Sequence, residues 1–212
     1  GWLHLGAVLD DVGREADAVR ALERGVELEP GSVRGNFNLG VVLLRAGELA
    51  RAVQVAKRCV RLDPRSAAAC CLLADALARS GASDKDVAAF AAKAVSLVER
   101  APATTAGADK GVLLNALMLA ANATEKLGKV PEAVAMWRRA ADVAAAASAA
   151  ALTGALAPLM RLYSIASESD PESAAEAAGR VLHVARASGD TSGEELALVM
   201  SLLASGAAAS GG

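Results

Sequence analysis

Aromatic side chains are almost missing from this sequence. Two Phe, two Trp and one Tyr make up 2% of 212 residues, although 54% of the chain is hydrophobic. A core without rings must be filled mainly by alanine and leucine, which are strong helix formers. No Val-, Ile-, Thr- and aromatic-rich runs alternate between turn residues, so sheet-based folds are excluded and the chain reads as all-α. Charge of one sign is lacking too. The 22 basic and 24 acidic residues are interspersed and leave a net charge of −2. That balance offers no electrostatic footprint for nucleic acid or an anionic membrane.

Cysteine is scarce and badly spaced for cross-linking. Cys59, Cys70 and Cys71 are odd in number and two are adjacent. They imply packed, reduced thiols rather than a disulfide framework, and with them a reducing intracellular compartment such as the cytoplasm. The sequence opens on Gly1-Trp2 within a helical pattern, lacks a signal-like start and stops in ASGAAASGG. It reads as a segment of a longer protein, so the missing targeting signal says nothing of location. The one long uncharged run, Val143 to Met160, is mostly alanine and contains Ser148, Thr153, Gly154 and Pro158. A membrane span calls for leucine-like residues over such a length. The run reads instead as two soluble helices meeting near the turn-like Thr153-Gly154-Ala155 and Pro158.

What is present is a repeat. GREADAVRALERGVELEP (Gly13 to Pro30) is answered by GELARAVQVAKRCVRLDP (Gly47 to Pro64), and both the glycines and the prolines stand 34 residues apart. A period of this size marks a solenoid of helical hairpins. In the first unit Trp2, Leu5, Gly6 and Leu9 share a helix face, Gly13 ends that helix, and Ala18, Leu22, Gly25 and Val26 turn inward on the next. Leu39, Gly40 and Leu43, then Ala52, Ala56 and Cys59, hold the same places in the second unit. In the third, Leu73, Ala74 and Leu77 precede Gly81, and Ala91 and Ala94 face inward. The period slips at the Pro-, Thr- and Gly-containing loop 101–110. A fourth unit follows, with Gly128 at its turn and Ala133, Trp137 and Ala140 inward. A fifth, about Leu152 to Ala187, keeps the pattern poorly.

The expected organisation is a single domain over 1–206, with units at 1–31, 32–65, 66–100, 111–149 and 150–188. A final helix at 191–205 would be a sixth half-unit or a cap on the open end. Residues 207–212 would form a tail or linker.

The residues Trp2, Leu5, Gly6, Leu9, Gly13, Ala18, Leu22, Gly25 and Pro30, in that order and at that period, resemble the tetratricopeptide repeat. The resemblance implies a right-handed α-solenoid of antiparallel hairpins, about five here plus a capping helix. For the irregular second half a HEAT-like or other α-solenoid is the alternative.

Chemistry finds little footing. His4 and His183 fall in the first and fifth units, and no cysteine stands at metal-ligand spacing from either. No phosphate loop occurs, since GASDK (Gly81 to Lys85) lacks a preceding strand. The adjacent pairs Asp10–Asp11 and Glu194–Glu195 point to different sides of a helix and read as solvated faces or caps. The sequon Asn122-Ala-Thr124 lies mid-helix. No catalytic residue, metal or cofactor is implied, and the segment is not expected to be an enzyme.

The resemblance does imply a protein partner, an extended or helical peptide held in a concave groove lined by the first helix of each hairpin. The groove residues would be Leu3, His4, Arg34, Phe37, Asn38, Val41, Arg45, Leu72, Asp75, Arg79, Leu119, Asn122 and Lys126, unless some are contacts between neighbouring units. Of the five polar places that grip a chaperone C-terminal tail in the best-known subclass, only Asn38 is filled; Leu3, Ala7, Ala68 and Leu72 stand at the others. Chaperone-tail capture is therefore disfavoured. An asparagine ladder is absent as well, because His4, Leu72 and Leu119 stand where Asn38 would recur. The apolar patch rimmed by Arg34, Arg45, Arg79 and Lys126 suits an apolar or amphipathic helix with some acidic character. A scaffold or adaptor is thus the expected role. The alternative is a substrate-recruiting arm of a larger enzyme, for example a glycosyltransferase, whose catalytic domain lies outside these residues. Self-association through the uncapped Trp2 end is a third expectation.

Overall fold

A computed structural model describes residues 1–101, 110–145, 152–169 and 171–188. All regular structure among them is helical, as the missing strand signals require. The chain divides into two compact units, Gly1–Ala106 and Gly107–Gly212. The boundary falls where the 34-residue period slips.

The first unit contains three hairpins. They are α1 (Trp2–Asp11) with α2 (Glu15–Leu28), α3 (Val33–Arg45) with α4 (Leu49–Leu62), and α5 (Ala67–Arg79) with α6 (Asp84–Glu99). Glycine makes each turn. Gly13, Gly47 and Gly81 have φ of 77°, 76° and 71°, a left-handed conformation that a side chain would strain. The residue after each donates its N–H to the carbonyl five back: Arg14 to Leu9, Glu48 to Leu43 and Ala82 to Leu77, at 2.9, 2.9 and 3.0 Å. This is a Schellman closure, which satisfies a carbonyl the ending helix would otherwise leave open. Starts are repeated as faithfully. The Ser32 Oγ accepts from the Gly35 N–H, and 34 residues on the Ser66 Oγ accepts from the Ala69 N–H, both at 3.1 Å.

Inward positions follow the repeat. Ala18, Leu22, Ala52, Ala56, Cys59, Ala91 and Ala94 are fully buried. Glycine sets the closest approaches: a Cβ on Gly6 would lie 2.4 Å from the Leu22 Cγ, and one on Gly25 2.4 Å from a Leu3 methyl. Successive hairpins touch through α2 and α3, α4 and α5, and along the row α1, α3, α5. The outer face of α1 is uncovered, unlike the same face of α3 and α5. Trp2, Leu5 and Val8 are 48, 45 and 44% exposed, whereas Leu39 and Leu73, at the place of Leu5, are 5 and 1% exposed. Asn36, fully buried at the place of Trp2, donates its amide to the Pro30 and Ser32 carbonyls at 3.2 and 2.8 Å. That side chain pins the turn between α2 and α3.

The second unit contains α7 (Lys110–Lys126), α8 (Val130–Ala145), α9 (Leu152–Ser169) and α10 (Pro171–Ser188). Gly128, with φ 77°, closes the α7–α8 hairpin as its counterparts do. Trp137 is 2% exposed and gathers Ala121, Ala133, Leu162 and Ala177 into one core, with Ala141, Ala144, Leu159, Ala178 and Val181 forming the next. Pro131 sits in the first turn of α8, where a missing N–H costs nothing.

One expectation is corrected here. Thr153-Gly154-Ala155 is not a turn, and Pro158 does not separate two helices. All four residues lie within continuous α9. The uncharged run includes the end of α8, described to Ala145, and the start of α9, described from Leu152. Pro158 is buried in the second turn of α9, so its packing offsets the backbone bond it cannot donate. The loop residues 102–109, the helix expected at 191–205 and the tail 207–212 lie outside the described residues.

Candidate functional site

The first helices of unit 1 form one face. Between α1 and α3 it holds a cleft of about 170 Å³ lined by Ala7, Asp10, Asp11, Leu22, Phe37, Asn38, Val41 and Val42. Leu22 reaches its floor from α2. Phe37, Asn38 and Val41 are half-buried, with part of each side chain open to solvent. They occupy the successive i, i+1, i+4 positions that one helix face presents. His4 is exposed one turn before Ala7.

At one end of the cleft Arg45 forms an ion pair with Asp10, tying α3 to α1. The arginine expected to rim the groove as a free cation is therefore engaged by an acid of the neighbouring hairpin. Arg34 is exposed at the other end of α3. On α5, Asp75 stands one period beyond Val41, partly buried. Burial pushes its carboxyl above the ordinary range, and Arg79, exposed one turn later, pulls it partly back. An ionised carboxylate at such a place works against the fold.

Two of the expected groove residues are packing residues. The Leu3 side chain lies against Gly25 of α2 and Gly35 of α3, where a Cβ on either would overlap it. Leu72 is 6% exposed and rests on Gly40 of α3. Small residues on neighbouring helices draw both inward: each glycine stands where a leucine of a packed helix needs room. Asp10, read from the sequence as half of an adjacent acid pair, helps join the first two hairpins.

In the second unit Leu119 is half-buried on α7, and Asn122 and Lys126 are exposed on it. Glu125 of α7 accepts from Arg161 of α9 at 3.1 and 2.5 Å, a two-pronged pair. Thr124 is buried, its hydroxyl donating to the Ala120 carbonyl at 2.6 Å. On the other side Arg138 of α8 meets Ser173 and Glu176 of α10, and Arg180 meets Asp142 at 2.8 Å.

Among the described residues no three His, Cys, Asp or Glu converge to hold a metal ion. The three cysteines are free and buried, and burial pushes the Cys59 thiol up to about 11. A thiol so protonated is a poor nucleophile. Among the same residues no helix is long and apolar enough to cross a membrane.

Residues 33–66, the whole of the second hairpin, match the model of the tetratricopeptide repeat. No curated protein matches the sequence. Solved structures of the same fold include MamA from Desulfovibrio magneticus RS-1, at 16% identity over 90% of this chain and 94% of that one, with a TM-score of 0.62. A thermophilic tetratricopeptide-repeat protein in Thermus thermophilus is 18% identical over 95% of this chain and 97% of that one, with a TM-score of 0.55. YrrB, described as a tetratricopeptide-repeat protein with an unusual peptide-binding site, is 16% identical over 92% of this chain and 89% of that one, with a TM-score of 0.59. At these identities the likeness is one of fold. Fold, period and matched repeat agree: this chain has the tetratricopeptide-repeat fold, with one repeat matched at residues 33–66.

Proposed function

We propose that the protein is a protein-interaction scaffold whose first unit holds a peptide or amphipathic helix of a partner against α1, α3 and α5. The observation that carries this is the open cleft of Phe37, Asn38 and Val41, with the partly buried Asp75 one period further along the same row. Its size suits one aliphatic side chain. The Asn38 amide stands beside it to meet peptide backbone, and Asp75 with Arg79 offers a polar contact of either sign. Because Arg45 is held by Asp10, the acidic preference read from a basic rim gives way to an apolar anchor as the main determinant. YrrB supports the reading as a protein of this fold with a peptide-binding site.

The test is affinity capture with the intact protein, with Val41→Lys as the discriminating variant. Val41 faces the cleft and is not fully buried, so the variant folds, and partners of the groove are lost from it. If every partner captured by the wild type is recovered undiminished with Val41→Lys, the groove is not the docking site.

A further inference from the structure

The second helices of the hairpins are built alike but are not charged alike. In α2 the cations Arg20 and Arg24 are paired with Asp17 and Glu27. α6 opens on Asp84 and Asp86, and α8 and α10 carry Glu132 and Glu172 in their first turns. The α4 sequence LARAVQVAKRCVRL contains no acid at all. Lys57, Arg58 and Arg61 on this helix, and Arg65 just beyond it, are exposed. Arg51, at its start, is neutralised by Glu23 and Glu48; among the described residues no ion pair engages the other four. In a chain with a net charge of −2 this is a concentrated positive strip, with Asp63 between Arg61 and Arg65 as its interspersed acid.

The strip is not flat. Gln54, Val55 and Arg58 are shared by two adjoining clefts of about 390 and 320 Å³. The larger has Val26, Leu39 and Leu43 in its wall together with Glu23 and Glu27, whose charges are met by Arg51 and Arg24; the smaller has Lys57 and Arg61. Helical spacing puts Gln54, Arg58 and Arg61 on one face, at i, i+4 and i+7, and Arg65 follows in the turn after α4 ends at Leu62. Charge beside aliphatic hollows calls for an occupant with both characters. Single-stranded nucleic acid would want aromatic rings for its bases, and α4 has none. A membrane surface would want a broad apolar face, yet Val53, Val55 and Val60 are already partly covered by the fold.

We propose that the α4 face is a second docking surface, taking an acidic peptide segment of a partner protein that carries an aliphatic side chain. The acids lie along Arg58, Arg61 and Arg65, and the aliphatic group enters the hollow at Val55. This surface is separate from the α1–α3 cleft and does not depend on it.

The experiment is fluorescence anisotropy of the intact protein with a labelled peptide of glutamates and aspartates bearing a leucine pair. The comparison probes are the same peptide with glutamine and asparagine for the acids, and an oligothymidine strand. The acidic peptide binds best, its affinity falls as salt rises, and Arg58→Glu with Arg61→Glu weakens it about tenfold or more while Val41→Lys leaves it unchanged. Both arginines are exposed, and an unaltered circular dichroism spectrum shows that the variant folds. Equal binding by the uncharged peptide, stronger binding by the oligothymidine strand, or undiminished binding by the folded double variant would overturn the proposal.

Discussion

Arg45 of α3 reaches across to Asp10 of α1, and Arg161 of α9 reaches across to Glu125 of α7. Each acid stands three residues before the glycine that ends its hairpin's first helix, Gly13 or Gly128. The same device thus joins successive hairpins in both units, although the period between units is lost. The residue one period after Asp10 is Leu44, which is buried, so the third hairpin has no such acid to meet Arg79.

These pairs set registration more than stability. Arg45 is 47% and Arg161 45% exposed, so solvent screens each pair. A double-mutant cycle on Asp10→Asn and Arg45→Gln should return a coupling of about 0.5–1 kcal/mol that fades in high salt. A coupling of several kcal/mol that ignores salt would show a desolvated pair instead.

Packing between hairpins carries far more. Leu39→Ala or Leu73→Ala should cost about 2–4 kcal/mol in urea unfolding, the range for a buried leucine truncated to alanine. Leu5→Ala, at the same place in the first hairpin but uncovered, should stay within about 0.5 kcal/mol. Equal costs at the three positions would mean that something covers the outer face of α1 in solution.

Asp75 gives a signed prediction. Its carboxyl is raised in the folded state, so the neutral form is favoured there and the ionised form opposes folding as pH rises. Asp75→Asn should therefore raise Tm slightly at neutral pH, and the gain should vanish below the ordinary carboxylate range. The same variant should weaken binding of a groove partner, the exchange of stability for recognition expected at such a site.

Cys59 acts with the same sign in an alkaline window. Its thiol rises from 9.0 to about 11 on folding, chiefly through burial. The stability this contributes is intact below pH 9 and is lost as pH climbs through 11. Labelling by a maleimide should accordingly be slow in buffer and fast in denaturant. Rapid native labelling of Cys59 would contradict its full burial.

The sequence announced the hairpins because their punctuation is local. Gly13, Gly47, Gly81 and Gly128 end helices by their own backbone freedom, and Ser32 starts one with its own hydroxyl, so spacing alone located them. Pro158 misled because its burial within α9 depends on distant partners. Leu3 and Leu72 misled for the same reason: which side of a first helix faces solvent depends on where a neighbour carries glycine. The charge of the groove was legible only in part. Arg45 could be placed on the face from its register, but its pairing with Asp10 is a relation between two separate helices, which no single-helix pattern contains.

Trp2 and Trp137 carry a last consequence. One lies in each unit; the first is 48% exposed in the folded state and the second 2%. Unfolding changes the surroundings of Trp2 much less than those of Trp137. Intrinsic fluorescence is therefore weighted toward the melting of the second unit, while far-ultraviolet circular dichroism reads both. Melts that superimpose by the two probes would mean one cooperative transition, and melts that separate would give each unit its own stability without any engineered label.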